Sequence, residues 1–331
     1  MKPKVFIARP VPPAVEAYIA KYCDYKIWNR QERIPDAVLL EEAKSVDGLL
    51  VQNPPITREF LAQVPQVKII SNTSVGYDSF DVKAMKELRV IGTHTPFVLD
   101  ETVADLVFAL ILSAARRVPE MNEFVKQGKW TKDTKPEELF GVDVHHATLG
   151  IVGMGRIGEK IVRRAVHGFE MNVLFHATTP KPELEEKYGI RYSPLDELLE
   201  KSDFVVLIVP LTESTRRLLG EEQFRQMKPT AYLINAARGA VVDEQALIGA
   251  LEAGEIAGAA LDVFEQEPVD PENPLLKMKQ VTAVPHIGSA TAKTREAMVM
   301  KAAENLVAGV TGGIPENVMK ELKELVDTKS K

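Results

Sequence analysis

Residues 147–158, ATLGIVGMGRIG, decide the fold of this chain. An apolar run, predicted as a strand, leads into Gly153, Gly155 and Gly158, which have the spacing GxGxxG, and a helical segment comes next. In such a unit the first glycine permits the tight turn, the second lets the backbone approach a pyrophosphate, and the third lets helix and strand pack closely. The helix N-terminus adds N–H donors for the phosphates. The pattern predicts a dinucleotide-binding turn, and a glycine-rich turn without a ligand is the alternative.

Short apolar runs alternate with amphipathic segments along most of the chain. The strands predicted before the glycine turn are Val5–Ala8, Gly48–Val51, Val67–Ser71 and Val90–Gly92, and the helices are Pro13–Lys21, Asp36–Ala43, Thr57–Gln63 and Asp81–Leu88. The second set of predicted strands is Ala147–Val152, Asn172–Phe175, Phe204–Val209, Ala231–Asn235, Ala257–Val263 and Val281–Val284. Such an alternation predicts an α/β fold with parallel sheets covered by helices on both faces.

Two further helices are predicted outside this alternation. One runs from Glu101 to about Val118 and is apolar almost all round, as expected of a buried helix between two domains. Its most apolar part, Leu106–Ala115, is about half of the roughly 20 residues that a membrane span requires. The other, Thr291–Val307, is expected to return and complete the first domain, and Asp327–Lys331 are predicted to be disordered.

Composition excludes several classes of protein. A length of 331 residues predicts about two domains, and a net charge of −6 argues against nucleic acid or an anionic membrane as the main partner. The single cysteine, Cys23, excludes a disulfide framework and is expected to be a buried thiol in a reducing cytoplasm. The N-terminus, MKPKVFIARP, is expected to be neither a signal peptide nor an anchor.

A metal site is not predicted. His145 and His146, with Asp143 nearby, are the candidate ligands. We expect this segment to be extended, so that adjacent side chains point to opposite faces and one ion cannot take both histidines.

The choice of cofactor depends on the residues after the second strand of the glycine-turn unit. An acid is expected there to accept hydrogen bonds from the adenosine ribose, but the sequence continues as His176, Ala177, Thr178 and Thr179. No carboxylate repels a 2′-phosphate, and two hydroxyls can donate to it. The sequence favours NADP(H) and leaves NAD(H) open.

Polar side chains come after three predicted strands of the second set. Arg238 follows one strand, Asp262 and Glu267 lie at and just after the end of another, and His286 follows a third. Because ligands of open α/β sheets bind outside the carboxyl ends of strands, these residues together predict a hydride-transfer site. The histidine would supply the proton, the glutamate would orient it, and the arginine would bind a carboxylate. Each alone also fits a structural role.

With these residues in view, the chain resembles the D-isomer-specific 2-hydroxyacid dehydrogenases over nearly its whole length, and within them the reductases of glyoxylate, hydroxypyruvate and 2-ketoaldonates such as 2-ketogluconate. The matching stretches are SVGYDSFDV (74–82), HTPFVLDETVADL (94–106), VGMGRIG (152–158), INAARGAVVDE (234–244), LDVFEQEP (261–268) and PHIGSAT (285–291). The resemblance implies a homodimer in which a Rossmann domain (99–288) that binds NAD(P) is inserted in a flavodoxin-like substrate domain (1–98 and 289–331). It implies NAD(P)H-dependent reduction of small 2-keto acids, with no nucleic-acid or membrane partner.

The resemblance also assigns roles to individual residues. Arg238 would bind the substrate carboxylate, His286 would be the general acid and base, and Glu267 would support it. Asp262 would contact the nicotinamide carboxamide. The full set of implied cofactor contacts is Val103, Gly153, Gly155, Arg156, Ile157, Gly158, Ala177, Thr178, Thr179, Val209, Pro210, Thr215, Ala236, Ala237, Arg238, Asp262, His286 and Gly288. The implied substrate contacts are Val51, Gln52, the Val75–Gly76 backbone from the opposite domain, Arg238 and His286.

Other functions on the same framework stay open at this point. A phosphite, formate or D-lactate dehydrogenase shares much of the pattern, although the phosphite enzymes carry a lysine where this chain has Val75. A nucleotide-sensing transcriptional corepressor would not need Arg238, Glu267 and His286 together. NADPH-using relatives often place arginine at the position of Thr178 or Thr179, which puts a strong NADPH preference in doubt.

Overall fold

The computed structural model describes residues 1–327, which divide into two compact units, 1–99 with the described residues from 291 onward, and 100–290. Of the segment predicted to be disordered, Asp327 ends the last helix, and residues 328–331 lie outside the described residues.

The strands of the first unit are β1 (Lys4–Ile7), β2 (Asp24–Ile27), β3 (Gly48–Val51), β4 (Ile69–Asn72) and β5 (Ile91–Thr93). They form one parallel sheet in the order β2-β1-β3-β4-β5. Its first helices are α1 (Pro13–Tyr22), α2 (Asp36–Ala43), α3 (Arg58–Ala62) and α4 (Val82–Glu87). This strand order is the flavodoxin-like one.

The strands of the second unit are β6 (Thr148–Val152), β7 (Asn172–His176), β8 (Arg191–Tyr192), β9 (Phe204–Leu207), β10 (Tyr232–Asn235), β11 (Gly258–Leu261) and β12 (Val281–Ala283). Its helices are α5 (Asp100–Ala115), α6 (Val118–Lys126), α7 (Arg156–Phe169), α8 (Pro182–Tyr188), α9 (Leu195–Lys201), α10 (Glu221–Gln226) and α11 (Glu244–Ala253). The sheet is parallel, in the order β12-β11-β10-β9-β6-β7-β8, which is the Rossmann arrangement with one strand added. The α/β fold with parallel sheets is as predicted.

The C-terminal helices are α12 (Ala292–Val310) and α13 (Glu324–Asp327). The first of them packs against β3, β4 and α1 of the first unit. Its N-cap is Thr291, whose hydroxyl accepts from the Thr294 N–H at 3.2 Å. The predicted helix is present and ends three residues later than expected, because apolar residues continue to Val310.

Buried apolar strands explain why both sheets form. Strands β3 and β9 are buried throughout, as expected of parallel strands covered on both faces. Side-chain caps start helices where the sequence places them: the Thr57 hydroxyl accepts from Phe60 N–H and the Asp81 carboxylate from Ala84 N–H. Cys23 is buried as predicted, and burial raises its pKa to about 11, so the thiol is not a nucleophile at neutral pH.

The predicted end of one helix was wrong, and two strands were not predicted. The long helix ends at Ala115 rather than Val118, because Arg117 takes a left-handed backbone conformation (φ 54°) and α6 starts anew with Pro119 in its first turn. Strands β2 and β8 were not predicted. Each is a short edge strand with exposed polar side chains, so neither has an apolar run. Within residues 1–327, no helix combines the length and hydropathy that a membrane span requires.

Candidate active site

The three glycines of the turn after β6 have different surroundings. Gly153 has φ 109°, and a Cβ there would lie 2.7 Å from the Ile208 carbonyl oxygen. A Cβ on Gly158 would lie 2.6 Å from the Gly153 carbonyl oxygen. Gly155 is the N-cap of α7, and a Cβ on it would meet no atom of residues 1–327 within 4 Å. Gly153 and Gly158 are therefore required by the protein's own packing. Gly155 instead leaves open space at a helix N-terminus, as a phosphate cradle requires.

The predicted cofactor contacts beside this turn lie at the carboxyl ends of neighbouring strands. The Gly153 N–H donates to the carbonyl of His176, the last residue of β7, at 2.9 Å. After β7, Ala177 is half-buried and the two threonines are exposed. After β9, the Thr215 hydroxyl donates to the Pro210 carbonyl at 2.6 Å and so shapes that loop. The structure thus brings the loops after β6, β7 and β9 to one edge of the sheet.

The first residue of α7 has a buried partner. Arg156 Nε donates to Asp100 Oδ2 at 3.0 Å, and the Asp100 side chain is buried at the start of α5. Its neighbour Ile157 is half-buried. The carboxylate therefore holds an arginine beside the cradle of the glycine turn.

The loop that carries Arg238 is held by a buried amide at the end of β10. Asn235 Oδ1 accepts from Ala237 N–H at 3.0 Å, and its Nδ2 donates to the Arg238 carbonyl at 3.1 Å. Arg238 Nη1 donates to the Ala237 carbonyl at 2.8 Å. Ala236 is half-buried in the same loop. Because Asn235 is 1% exposed, its bonds to the loop are shielded from competition with water.

Gly239 lets the loop that carries Arg238 approach the loop after β11. A Cβ at this position would lie 1.9 Å from the carbonyl carbon and oxygen of Phe264 and 2.3 Å from the Glu265 nitrogen. Only glycine allows two backbones to come this close. The sequence alone did not identify Gly239 as a site residue.

Asp262 ties the end of β11 to the turn that contains His286. The carboxylate is 2% exposed and accepts from Ile287 N–H at 2.6 Å and from Gly288 N–H at 3.0 Å. Burial raises the pKa of Asp262, and these hydrogen bonds oppose that rise. A Cβ on Gly288 would lie 3.5 Å from Val103, which places that α5 residue beside the turn. The structure thus shows Asp262 holding the turn, and its contact with a nicotinamide stays a prediction.

His286 and Glu267 form a hydrogen-bonded pair at the same edge. His286 Nδ1 lies 2.7 Å from Glu267 Oε2, while Glu267 Oε1 accepts from Phe264 N–H at 3.2 Å. Burial pushes the pKa of Glu267 upward, but the hydrogen bond with His286 and the nearby charge of Arg238 hold it below its ordinary value. Because Nδ1 faces the carboxylate, Nε2 is the ring nitrogen left to exchange a proton with a ligand. The backbone of His286 is left-handed, with φ 51°.

The predicted substrate contacts of the first unit lie at the carboxyl ends of β3 and β4. Val51 is the buried last residue of β3, and Gln52 follows it on the exposed side. Asn72, fully buried at the end of β4, donates through Nδ2 to Asn53 Oδ1 at 2.7 Å and to the Gly76 carbonyl at 2.9 Å. This single amide joins the two loops that carry the predicted contacts.

The turn at Val75 and Gly76 is held by its carbonyl groups. His94 Nδ1 lies 2.9 Å from the Val75 carbonyl, which can only accept, and Asn72 holds the Gly76 carbonyl. In a trans peptide the N–H points opposite to its C=O. The N–H groups of Gly76 and Tyr77 therefore point away from these side chains, as donors to an anion would.

The structure corrects the expected conformation at His145 and His146, and it adds site residues that the sequence did not indicate. His145 and His146 are not on an extended segment: they lie in a turn, with ring centroids 5.0 Å apart and φ 61° at His146. Among residues 1–327, no three His, Cys, Asp or Glu side chains are grouped as a metal site would require. The missed residues are Asn72, His94, Asn235 and Gly239. A polar asparagine ending an apolar strand was the available signal for two of them.

Comparison with known proteins shows the family. Residues 108–288 match the family model described as D-isomer specific 2-hydroxyacid dehydrogenase, NAD binding domain. The chain is 47% identical over 319 residues to glyoxylate/hydroxypyruvate reductase B of Klebsiella pneumoniae, covering 96% of this chain and 98% of that protein. It is 45% identical to a glyoxylate reductase of Korarchaeum cryptofilum, covering 97% of both chains.

A solved structure agrees with these matches. The NADPH-dependent glyoxylate/hydroxypyruvate reductase of Sinorhizobium meliloti, in complex with NADP and malonate, superposes with a TM-score of 0.86 at 33% identity, covering 97% of this chain and 98% of that one. The chain belongs to the D-isomer specific 2-hydroxyacid dehydrogenases, a family of oxidoreductases. The resemblance seen in the sequence is confirmed.

Proposed function

We propose that this protein reduces small 2-keto acids, among them glyoxylate, hydroxypyruvate and 2-ketogluconate, to D-2-hydroxy acids with NAD(P)H. The observation that carries the proposal is the Glu267–His286 pair, with Arg238 nearby, on the same sheet edge as the glycine turn. The names of the relatives support glyoxylate and hydroxypyruvate as substrates. A keto acid offers a carboxylate for the arginine and a carbonyl oxygen for the histidine.

The cofactor would be held at the cradle beside Gly155. The N–H groups at the start of α7 would bind the pyrophosphate, with Arg156 held alongside by Asp100. The remaining implied contacts would line the path from the loops after β7 and β9 to Ala236 and Ala237, Asp262 and Gly288. When bound, the cofactor supplies a hydride to the keto carbon.

The protein's own groups would handle the anion and the proton. The Arg238 guanidinium has the fork of donors that suits a carboxylate. Protonated His286 would donate its Nε2 proton to the carbonyl oxygen, and Glu267 would keep the ring oriented and balance its positive charge. In the first unit, Val51 and Gln52 would line the substrate site, and the backbone at Val75 and Gly76 would bind the carboxylate.

NADP(H) is the favoured cofactor, and NAD(H) is the alternative. No carboxylate follows β7 where NAD-dependent relatives place one, and the exposed threonines 178 and 179 can donate hydrogen bonds to a 2′-phosphate. Because these donors are exposed and uncharged, we expect a modest preference.

The two units would have separate tasks. Residues 99–288 would form the cofactor domain, and residues 1–98 with 289–331 would form the substrate domain. Two copies of the chain would form a homodimer through the segment 118–142. Helix α6 in this segment buries none of its residues, and the segment exposes Val118, Val125, Trp130, Leu139, Phe140 and Val142. A second copy of the chain would cover this apolar surface.

A steady-state matrix tests the proposed reaction. Glyoxylate, hydroxypyruvate and 2-ketogluconate are each assayed with NADH and with NADPH, and the oxidation of the reduced cofactor is followed by absorbance. We expect turnover of all three acids, with NADPH used at least as well as NADH. Turnover of none of them would contradict the reaction, and a preference for NADH beyond about tenfold would contradict the cofactor assignment.

A further inference from the structure

The turn after β4 offers two backbone donors to a ligand. In the described part of the chain, the N–H groups of Gly76 and Tyr77 make no hydrogen bond. The carbonyls of the same two peptide groups are occupied: the Val75 carbonyl lies 2.9 Å from His94 Nδ1. The Gly76 carbonyl accepts from Asn72 Nδ2 at 2.9 Å. Because linked hydrogen bonds polarise one another, each occupied carbonyl makes the N–H of its own peptide group a stronger donor. Successive N–H groups in a turn are a common anion site.

His94, which fixes one of these carbonyls, is itself held by α12 and by the C-terminal segment 317–321. The His94 N–H donates to the Asn317 carbonyl at 3.1 Å, and the His94 carbonyl accepts from Asn305 Nδ2 at 3.3 Å. Asn305 is 1% exposed, and its Oδ1 accepts from the Asn317 N–H at 3.2 Å. A buried amide that is satisfied in this way specifies one arrangement of the groups around it. The backbone of His94 is therefore fixed, which sets the point from which Nδ1 reaches the turn.

Tyr77 joins the turn to the same C-terminal segment a second time. Its hydroxyl donates to Glu321 Oε2 at 3.2 Å, and its ring meets the His94 ring edge to face, with centroids 5.2 Å apart. Burial, the charge of Glu321 and the hydrogen bond to it together raise the pKa of Tyr77 to about 12. The hydroxyl therefore keeps its proton at neutral pH and remains a donor to the carboxylate. The turn is thus held at its carbonyls and at the Tyr77 side chain, while its two N–H groups are left for a ligand.

We propose that His94 and Tyr77 are positioning residues for the substrate. Anchored on segment 317–321, they hold the Val75–Gly76 turn so that its two N–H groups bind the carboxylate of the keto acid. The inference rests on the proposed function and adds residues that set the affinity for the acid. The two side chains act through the backbone of the turn and do not themselves bind the acid. A carboxylate matches the turn because it has one oxygen for each donor.

Two variants of His94 separate its hydrogen bond from its packing. In His94→Asn the amide Nδ2 takes the place of the ring Nδ1 and can still donate to the Val75 carbonyl, whereas His94→Leu has similar size and branching without a donor. Both variants lose the ring contact with Tyr77, so a difference between them reports the donor alone. We expect His94→Leu to raise the KM for glyoxylate by about tenfold or more, with a smaller change in kcat. His94→Asn should stay within about threefold of wild type in KM.

Tyr77→Phe tests the contact with the C-terminal segment, because it removes only the hydroxyl that donates to Glu321. We expect the KM for glyoxylate to rise by about threefold, less than in His94→Leu, since this hydrogen bond is exposed to solvent. Tyr25→Phe is the matched control. It removes a hydrogen bond of 2.6 Å between a tyrosine and Glu16 on β2, the edge strand at the far side of the sheet from the turn, and should leave KM unchanged.

Two binding measurements accompany the kinetics. The Kd for NADPH should stay within about twofold of wild type in every variant, because the glycine turn belongs to residues 100–290. Oxamate, an unreactive analogue of the keto acid, is titrated by calorimetry into protein with NADPH, and its Kd should rise in His94→Leu as the KM does. The oxamate titration measures binding of the carboxylate without turnover, so it tests the inference separately from the proposed reaction.

Equal losses in His94→Asn and His94→Leu would overturn the inference, because the donor would then not matter. Unchanged KM and oxamate affinity in His94→Leu would do the same. If that variant does not fold, Tyr77→Phe decides, and an unchanged oxamate affinity there overturns the anchoring. A wild-type protein that binds oxamate but reduces no keto acid contradicts the proposed reaction alone, whereas one that does neither contradicts both.

Discussion

His286 combines a strained backbone with a charged partner. A φ of 51° is uncommon for a residue other than glycine and costs on the order of 1–3 kcal/mol, so the surrounding bonds must maintain it. The His286 N–H donates to the Asp262 carbonyl at 2.9 Å, and the ring meets Glu267 at 2.7 Å. Strain that neighbouring residues maintain is typical of catalytic positions.

The pKa of Glu267 leads to a prediction about pH. Because the folded-state pKa lies below the ordinary value, the carboxylate stabilises the fold fully above the unfolded pKa of about 4.3, and this contribution is lost as pH falls through the folded value. Glu267→Gln should therefore lower Tm at pH 7, and the Tm difference from wild type should shrink below about pH 4. Thermal melts across pH 3–8 measure this, with the exposed Glu272→Gln as control. A Tm difference that persists unchanged at low pH would contradict it.

At the residue scale, the sequence could predict side chains whose chemistry is visible in their type. Arg238, Glu267 and His286 were all named, and the structure places them at one edge of one sheet. Asn235 and Asn72 were missed, because their importance comes from burial and from the bonds by which they hold the loops that follow their strands. The local pattern offers only a polar asparagine at the end of an apolar strand, which does not show what that side chain binds.

The loops after β10 and β11 depend on one glycine. In Gly239→Ala the new methyl would overlap the backbone at Phe264, so one loop must move and carry Arg238 or Glu267 with it. We expect kcat/KM to fall at least 100-fold and Tm to fall. Gly249→Ala is the matched control: the position is exposed in α11, with open space for a Cβ, and should gain about 0.5–1 kcal/mol of stability. Normal activity in Gly239→Ala would show that catalysis does not need the close approach of the loops after β10 and β11.

The glycine turn allows stability to be separated from cofactor binding. Gly155→Ala adds a methyl in open space, so Tm should be unchanged, but that space is where the pyrophosphate is expected, and the Kd for NADPH should rise at least tenfold. Gly153→Ala should instead lower Tm, because of φ 109° and the close Ile208 carbonyl. Fluorescence titration and thermal melts distinguish the two variants. Unaltered NADPH affinity in Gly155→Ala would show that the pyrophosphate does not bind at Gly155.

At the element scale, the sequence predicted the strands that carry continuous apolar runs. The apolar pattern is clear in these strands because both faces of a central parallel strand are buried, as in β3 and β9. Edge strands bury fewer of their side chains, so β2 and β8 have no continuous apolar run. Helix α6 buries none of its residues, and its separation from α5 depends on the left-handed Arg117.

At the scale of the whole molecule, the exposed segment 118–142 predicts the oligomeric state. Trp130 and Phe140 are 66% and 63% exposed, which is unusual for large aromatic side chains unless a partner covers them. Changing both to glutamate should reduce the solution mass from two chains to one, measured by light scattering after gel filtration. Leu88→Glu, at an exposed residue of the other unit, is the control. A wild-type monomer, or a dimer that survives the double change, would contradict this prediction.

The order of strands in each sheet could not be derived from the alternation of apolar runs. Alternation predicts that strands are parallel, but which strands are neighbours depends on which face each connecting helix covers. Here the resemblance to a known family supplied the arrangement, and both sheets agree with it. The return of the chain from Thr291 to the first unit was expected from the sequence itself, before the resemblance was considered.

The kinetics of a His286→Asn variant test whether His286 supplies the proton in the proposed reduction. Asparagine tolerates φ near 51°, so the turn should keep its conformation, while the proton donor is lost. We expect wild type to oxidise NADPH with glyoxylate. In the variant kcat should fall about 10²–10⁴-fold, while the Kd for NADPH should stay within about threefold of wild type. A variant that turns over glyoxylate at a near-normal rate would contradict the role of His286, and a wild-type protein that oxidises no NADPH with any 2-keto acid would contradict the reaction itself.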